Sequence, residues 1–286
     1  MKTFEPGSIL CGVDFSRASE TALAYTALLA QAYGAQITVL HSHHVEIPAY
    51  LGEEQWAALE EQLATAAASS VEEMRAFAAS TLATLAPVAE YLAVDAPPVD
   101  GLLKTVEDRQ PGLVVLGSHG HNRLNRFLLG SVSAGVLREI TCPLLVTRHK
   151  PGDAPDMPEI GHILCPVNYT ETAAAGLQAA ASLAQRLDAR LSIIHSLEGH
   201  GDKDAERERL CQWVPTQVPV DCTWETTPVV DGPAAERIVQ AADEMGADLI
   251  VLGGRRRSLL TATILGATTE RVVHHATCPV LTIVSP

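Results

Sequence analysis

Short apolar runs and longer amphipathic stretches alternate along this chain. Ser8 to Val13, Gln36 to His41, Val88 to Val94, Leu113 to Leu116 and Leu144 to Arg148 are compact and rich in Val, Ile and Leu. Between them, Arg17 to Tyr33, Glu53 to Leu85, Pro98 to Arg109 and Ser131 to Glu139 place apolar residues at helical spacing. Strands that are apolar on both sides and separated by helices predict a parallel sheet covered on both faces. End signals agree. Ser16 is a candidate N-cap of the first helix, because its hydroxyl can accept from an unpaired amide, and Gly34 supplies the C-terminal stop.

The pattern then runs a second time. Leu10-Cys11-Gly12-Val13-Asp14-Phe15-Ser16 returns as Leu164-Cys165-Pro166-Val167-Asn168-Tyr169-Thr170, and Ile37 to Ser42 returns as Leu191 to Ser196, both 154 residues further on. Later, Asp95-Ala96-Pro97 matches Asp231-Gly232-Pro233, Leu116-Gly117 matches Leu252-Gly253, and Thr141-Cys142-Pro143 matches Thr277-Cys278-Pro279, now at an offset of 136. The 18 residues lost fall after the second strand, where Glu53 to Leu85 is answered only by Asp202 to Trp213. That loss is about five whole turns, so the helix shortens without rotating its apolar face. The predicted organisation is two repeated α/β domains, 1–150 and 159–286, joined by a Pro- and Gly-rich linker at 151–158.

Charge narrows the partners. Lys plus Arg is 20 against 34 Asp plus Glu, and a formal charge of -14 repels nucleic acid and anionic membrane surfaces, so neither is expected to bind. No apolar run reaches the roughly 18 residues of a membrane span, and Met1 to Pro6 has no apolar leader, so the expected location is the cytoplasm. The six cysteines form no C-x-x-C pair and four lie in strand-like contexts, which predicts buried free thiols. His41, His43 and His44 have the look of metal ligands. Alternation, however, puts only His41 and His43 on one side, with no Cys or carboxylate set beside them, and no metal site is expected.

Candidate chemistry concentrates at Gly117-Ser118-His119-Gly120, followed after nine residues by Gly130-Ser131. The order is strand, glycine loop, helix start. Glycine lacks the Cβ that keeps backbone amides away from an oxyanion, and the unpaired amides of a helix N-terminus point outward at its positive end. Ser131 is placed to cap that helix or to donate its hydroxyl to phosphate. The same glycines also suit a tight turn with no ligand. Asp14 has two readings as well. Ionised, it only accepts hydrogen bonds, which suits the hydroxyl and amino groups of a nucleoside; two residues before Ser16, it also suits a helix cap. In an open parallel sheet, ligands bind beyond the strand carboxyl ends where the winding reverses, so Asp14, Ser42 and the Gly117 loop define one place.

With these residues assembled, the chain resembles the universal stress protein family in its tandem form, over essentially its whole length. The resemblance is carried by the family's nucleotide signature (glycine, two residues, glycine, nine residues, glycine, then serine or threonine), met at Gly117, Gly120, Gly130 and Ser131. Gly12-Val13-Asp14 and the ending Thr141-Cys142-Pro143-Leu144-Leu145-Val146 support it. It implies, for each half, an open five-stranded parallel sheet of nucleotide-binding-hydrolase-like topology, and it implies ATP, with or without Mg²⁺, as ligand. By the same resemblance the backbone of Gly12 and Val13 lines an adenosine pocket and Asp14 accepts from the adenine or ribose side. Ser42, where the family usually carries an apolar residue, turns its backbone to the base. Gly117, Ser118, Gly120, His121, Gly130, Ser131 and Val132 then surround ribose and phosphates. The final strands, Leu144 to Arg148 and Val280 to Val284, are expected near the interface of an intramolecular pseudo-dimer, and a homodimer is open.

The second copy departs from the signature. Gly253 and Gly266 keep two glycines, but Arg256 stands for Gly120, Ala267 for Ser131 and Asn168 for Asp14. The expectation is one nucleotide, held by the first half, with a degenerate second site that is empty or takes a smaller anion. The P-loop pattern G-x-x-x-x-G-K-[ST] is absent and no residue stands out as a general base, so at most slow ATP hydrolysis is expected. Three functions stay open: an ATP-binding stress-response regulator, a structural or partner-binding stress protein without nucleotide, and a thiol or metal sensor.

Overall fold

A computed structural model of the chain describes residues 4–44, 53–82, 89–119, 129–149, 158–197, 202–218, 222–226, 230–255 and 266–285. In the first half, β1 (Ser8–Gly12), α1 (Arg17–Tyr33), β2 (Gln36–His43), α2 (Glu53–Leu82), β3 (Glu90–Asp95), α3 (Pro98–Arg109), β4 (Leu113–Gly117), α4 (Ser131–Glu139) and β5 (Leu144–Thr147) follow one another. The second half gives β6 (His162–Pro166), α5 (Glu171–Leu187), β7 (Arg190–Ile194), β8 (Ser196–Leu197) and α6 (Lys203–Trp213). It continues with β9 (Glu225–Thr226), β10 (Val230–Asp231), α7 (Ala234–Met245), β11 (Leu249–Arg255), α8 (Ala267–His275) and β12 (Val280–Ser285). The fold is mixed α/β, as the alternation predicts.

Ten strands form one sheet in the order β3-β2-β1-β4-β5-β12-β11-β6-β7-β9. Neighbours run parallel everywhere but at the centre, where β5 and β12 pair antiparallel with Leu145 opposite Leu281. The expected position of the two final strands is therefore observed, as a direct pairing. Strand alternation divides the core. Ile9, Cys11 and Val13 face the side that carries Leu23 of α1, Met74 of α2, Leu177 of α5 and Leu210 of α6. Leu10, Val114 and Leu116 face the side that carries Leu102 of α3, Leu137 of α4, Ile238 of α7 and Val273 of α8. Each such fully buried side chain contributes about 1.5–3 kcal/mol relative to exposure, which is why strands apolar on both sides are stable only between two helical layers.

Helix ends follow the sequence signals with two exceptions. Ser16 caps α1, accepting from the Ser19 amide at 3.3 Å, and Gly34 closes it at a left-handed φ of 66°. Asp188, at the same place after α5, adopts φ 53° without being glycine. The first exception is Ser131. It does not cap α4: Gly130 is the N-cap and no side chain makes the capping bond, because Ser131 is already the first helical residue. The second is the third strand, which begins at Glu90 and runs to Asp95; residues 83–88, to which the expected helix end and strand start extended, lie outside the described residues. Of the linker expected at 151–158, residues 151–157 lie outside them too. The shortened helix is confirmed, with 11 residues in α6 against 30 in α2.

Candidate functional site

The strand order reverses between β1 and β4: from β1 the chain first steps to β2 and β3, then returns to place β4 on β1's other side. Such a switch point leaves a crevice beyond the strand carboxyl ends, because the two adjoining crossovers leave on opposite faces. Gly12 ends β1, Ser42 lies near the end of β2, Gly117 ends β4 and Gly130 opens α4. The structure thus brings together at one end of the sheet Gly12, Val13, Asp14, Ser42, Gly117, Ser118, Gly130, Ser131 and Val132. Gly120 and His121 lie outside the described residues.

Asp14 organises the first turn of α1. Its Oδ1 accepts from the Ser16 amide at 3.1 Å and from the hydroxyls of Ser16 and Ser19, each at 2.5 Å, while its own amide donates to Ser19 Oγ at 2.9 Å. One carboxylate oxygen is therefore committed to the helix start. Val13 is committed as well: its amide donates to the Leu40 carbonyl at 2.8 Å, and its carbonyl accepts from His41 Nδ1 at 2.9 Å. Val13 is a wall of the crevice rather than a source of free donors. Ser42 spends its hydroxyl on the Ala96 carbonyl at 2.7 Å, tying the end of β2 to the start of α3.

Two bonds cinch α4 to the end of β4. The Gly130 amide donates to the Ser118 carbonyl at 2.6 Å, and Ser133 Oγ donates to the Gly117 carbonyl at 2.6 Å. Ser118 is buried, its amide donates to Thr147 at 3.1 Å, and its hydroxyl meets His119 Nδ1 at 2.9 Å. Held this way, the first turn of α4 presents at Ser131 and Val132 amides that have no partner within the helix, at the positive end of its dipole. A β-carbon on Gly130 would stand 3.1 Å from the Ser118 carbonyl, a tight contact that glycine avoids. Gly117 has a different reason. A β-carbon on it would come 2.8 Å from the backbone carbonyl of Ala18, so it is glycine because α1 crosses the end of β4 at close range.

The second half repeats the scaffold without the polar set. Gly253 meets Thr172 as Gly117 meets Ala18. Asn168 Oδ1 accepts from the Thr170 hydroxyl at 2.6 Å, His195 Nδ1 donates to the Val167 carbonyl at 2.7 Å, and Ser196 Oγ donates to the Gly232 carbonyl at 3.0 Å. Even the strained residue recurs, with Phe15 at φ 61° and Tyr169 at φ 60° turning their rings onto His41 and His195. Features present in both halves are scaffold. Gly101 of α3, Leu102 and Ser133 border the crevice and were not among the candidates; a glycine inside an otherwise regular helical pattern, as at Gly101, is the signal that marks such a place.

Burial pushes the Cys11 thiol up to about 12 and Cys142 likewise to about 12, and Cys165 is raised by the same cause, so these thiols are protonated and poor nucleophiles. No disulfide joins any of the six cysteines, and Cys211 is exposed. The rings of His41 and His43 stack at 6.2 Å, but among the described residues no three His, Cys, Asp or Glu side chains converge as a metal site would require.

Fold and crevice together define an open-sheet α/β protein with a crevice at its strand carboxyl termini. Sequence comparison matches residues 7–148 and 225–283 to the universal stress protein family. The chain belongs to that family. A universal stress protein of Mycobacterium tuberculosis is 27% identical over 293 aligned residues, covering 96% of this chain and 95% of that protein. One from Thermus aquaticus is 32% identical over 142 residues, 49% of this chain and 98% of that protein, the proportion expected of a single repeat. The crystal structure of a universal stress protein from Archaeoglobus fulgidus superposes with a TM-score of 0.72 at 23% identity, covering 97% of this chain and 98% of that one, and so shares the fold.

Proposed function

We propose that the first half binds an adenine nucleotide of the ATP type and that the protein is a nucleotide-linked regulator of the stress response, working in the cytoplasm as an intramolecular pair of domains, 1–150 and 159–286. The observation that carries this reading is the meeting, at the β1–β4 switch point, of an acceptor and a donor end: the Asp14 carboxylate beside β1 and the cinched N-terminus of α4 beyond β4. The two ends of a nucleotide ask for these two chemistries. Ribose and adenine carry donors for a carboxylate, and phosphates take backbone amides. Gly12, Val13, Asp14 and Ser42 form the nucleoside side; Gly117, Ser118, Gly120, His121, Gly130, Ser131 and Val132 form the phosphate side. A Mg²⁺ ion, where present, would neutralise phosphate charge, and Asp14 Oδ1, which already takes three donors, would not be its ligand.

Mass spectrometry of small molecules released from the denatured purified protein, followed by equilibrium dialysis with ATP, tests the reading. ATP or a related adenine nucleotide is expected. Gly120→Val, which puts a side chain where the signature asks for phosphate, abolishes binding on this account. A folded wild-type protein that neither carries nor binds an adenine nucleotide overturns it, in favour of a partner-binding role for the same fold.

A further inference from the structure

The strand that leads into the candidate phosphate loop stops earlier in the first half than in the second. β4 pairs with β5 only as far as Gly117 with Thr147. Their equivalents β11 and β12, at an offset of 136, stay paired two residues longer, through Gly254 with Val284 and Arg255 with Ser285. The residues that leave the ladder in the first half are therefore Ser118 and His119 on one strand, Arg148 and His149 on the other.

Arg148 crosses to the other half. Its Nη2 donates to the carbonyls of Val273 and His274, the latter at 3.3 Å, in the last turn of α8. Carbonyls there lack partners within the helix, and the dipole favours a cation. Arg148 Nε is buried with no hydrogen-bond partner among the described residues, a cost that the two carbonyl bonds offset. His149 follows it out of the sheet, with Nδ1 3.3 Å from Thr21 Oγ1 of α1. Val284, in the place of Arg148, has no donor to spend on a helix end and stays in β12.

Leaving the ladder frees one acceptor. The Ser118 amide still donates to the Thr147 carbonyl at 3.1 Å. In a continued parallel ladder the Ser118 carbonyl, on the same side of the strand, would take the His149 amide. It takes the Gly130 amide instead, at 2.6 Å, which closes the N-cap of α4 on the loop. In the second half a β-carbon on Gly266, the N-cap of α8, meets no described atom within 4 Å, against 3.1 Å to the Ser118 carbonyl at Gly130. We propose that Arg148 is a positioning residue for the nucleotide site of the first half: latched on α8, it keeps β5 short, leaves the Ser118 carbonyl to Gly130, and so fixes the start of α4 where the phosphates are taken. The proposal rests on the nucleotide reading of the first half. It makes the second half a working part of that site although it lends no group to the ligand.

Arg148→Val gives the first half the residue that its equivalent carries, and the freed strand end should pair on as β12 does. Hydrogen exchange should then show the Gly130 amide less protected and the His149 amide more protected than in wild type, and equilibrium dialysis should show ATP bound about tenfold more weakly. Arg148→Lys, which still donates to the end of α8, should stay within about threefold of wild type. Arg148→Met, which lacks the donors but keeps an unbranched stem, is expected to behave as Arg148→Val and serves if the valine chain does not fold. Thr282→Val removes a bond between the halves that does not involve the loop, and should lower the thermal midpoint without changing ATP affinity. Unchanged exchange at Gly130 and His149, or unchanged ATP affinity in a folded variant without the donors, overturns the proposal, and so does a Thr282→Val chain that loses ATP as Arg148→Val does. Wild type that binds no ATP overturns the nucleotide reading instead, and exchange at Gly130 and His149 still decides what Arg148 holds in place.

Discussion

Gly117 and Gly253 end equivalent strands, and each lets the first helix of its half cross at a distance no side chain tolerates. Around Gly117 stand Asp14, Ser19, Ser118 and Ser131; around Gly253 the corresponding residues are Asn168, Ala173, Gly254 and Ala267. One half has kept the hydroxyls and the carboxylate, the other only the packing. The comparison separates two roles that glycine-rich signatures run together, the close approach of helix to strand and the close approach of backbone to ligand. Only residues that differ between the halves report on the second role.

The largest effect that can break this comparison is on packing. Gly253→Ala drives a methyl into the Thr172 carbonyl, whereas Gly117→Ala meets Ala18 at 2.8 Å, so both destabilise and Gly253→Ala more so, by about 3 kcal/mol or beyond. Urea unfolding curves check the order. If Gly117→Ala leaves stability untouched and removes only ligand, the packing account of that glycine is wrong.

Next comes the helix start. Asp14→Ala strips three donors of their acceptor and is expected to cost about 2 kcal/mol, against about 1 kcal/mol for Asn168→Ala, whose oxygen serves Thr170 alone. Asp14→Asn should recover most of that stability, because the amide oxygen still accepts. Recovery of fold with loss of ATP would sharpen the division between the two jobs of Asp14.

Acid should act unequally on the halves. His162, buried at the start of β6, lies 2.9 Å from Arg190 and 2.8 Å from Ser192 Oγ, whereas its first-half equivalent is Ser8. Burial first, and the Arg190 charge second, hold it below its ordinary value of 6.5. The folded chain therefore favours neutral imidazole, and as pH falls the unfolded chain takes the proton first. This contribution is complete above about pH 6.5 and is lost as pH drops below it toward the folded value. Thermal midpoints from pH 7.5 to 5.5, a range of about two units around that value, should fall less steeply in His162→Ser than in wild type. Parallel slopes would remove His162 from the account.

The smallest effect is at the end of the first helix of each half. Asp188→Gly should gain up to about 0.5 kcal/mol by relieving a left-handed residue, and Gly34→Asp should lose a similar amount. Chemical denaturation with paired replicates resolves such a shift, and opposite signs would reverse the comparison.

The fold was legible because its signals are local and repeated. Apolar runs, Ser16, Gly34 and two constant offsets suffice for strands, helices and a tandem plan, and the universal stress protein signature names the crevice. The site was legible as a place but less so in its wiring. Ser131 reads as a cap from residue type alone, yet it is the first residue of α4, the expected span, and the tie falls to Ser133, whose target is the carbonyl of Gly117 at the end of β4. Val13 reads as a ligand contact, yet its amide and carbonyl go to Leu40 and His41, 27 and 28 residues away, and the Ser42 hydroxyl goes to Ala96, 54 residues away. Gly101 escaped notice because its meaning depends on its close contact with Ser42, 59 residues away. Long-range pairings of this kind are not written in any window of sequence.

The antiparallel meeting of β5 with β12 has a consequence for inheritance. In a dimer of identical chains every substitution appears on both sides of the axis, and a residue suited to one subunit must be tolerated by the other. Here Val146 faces Val280, while the mirrored pair is Thr282 with Leu144, where the threonine hydroxyl has found the Leu144 carbonyl at 3.1 Å. A single reading frame encodes both partners, so mutation samples them one at a time, always at equal dose and never with a mismatched mate.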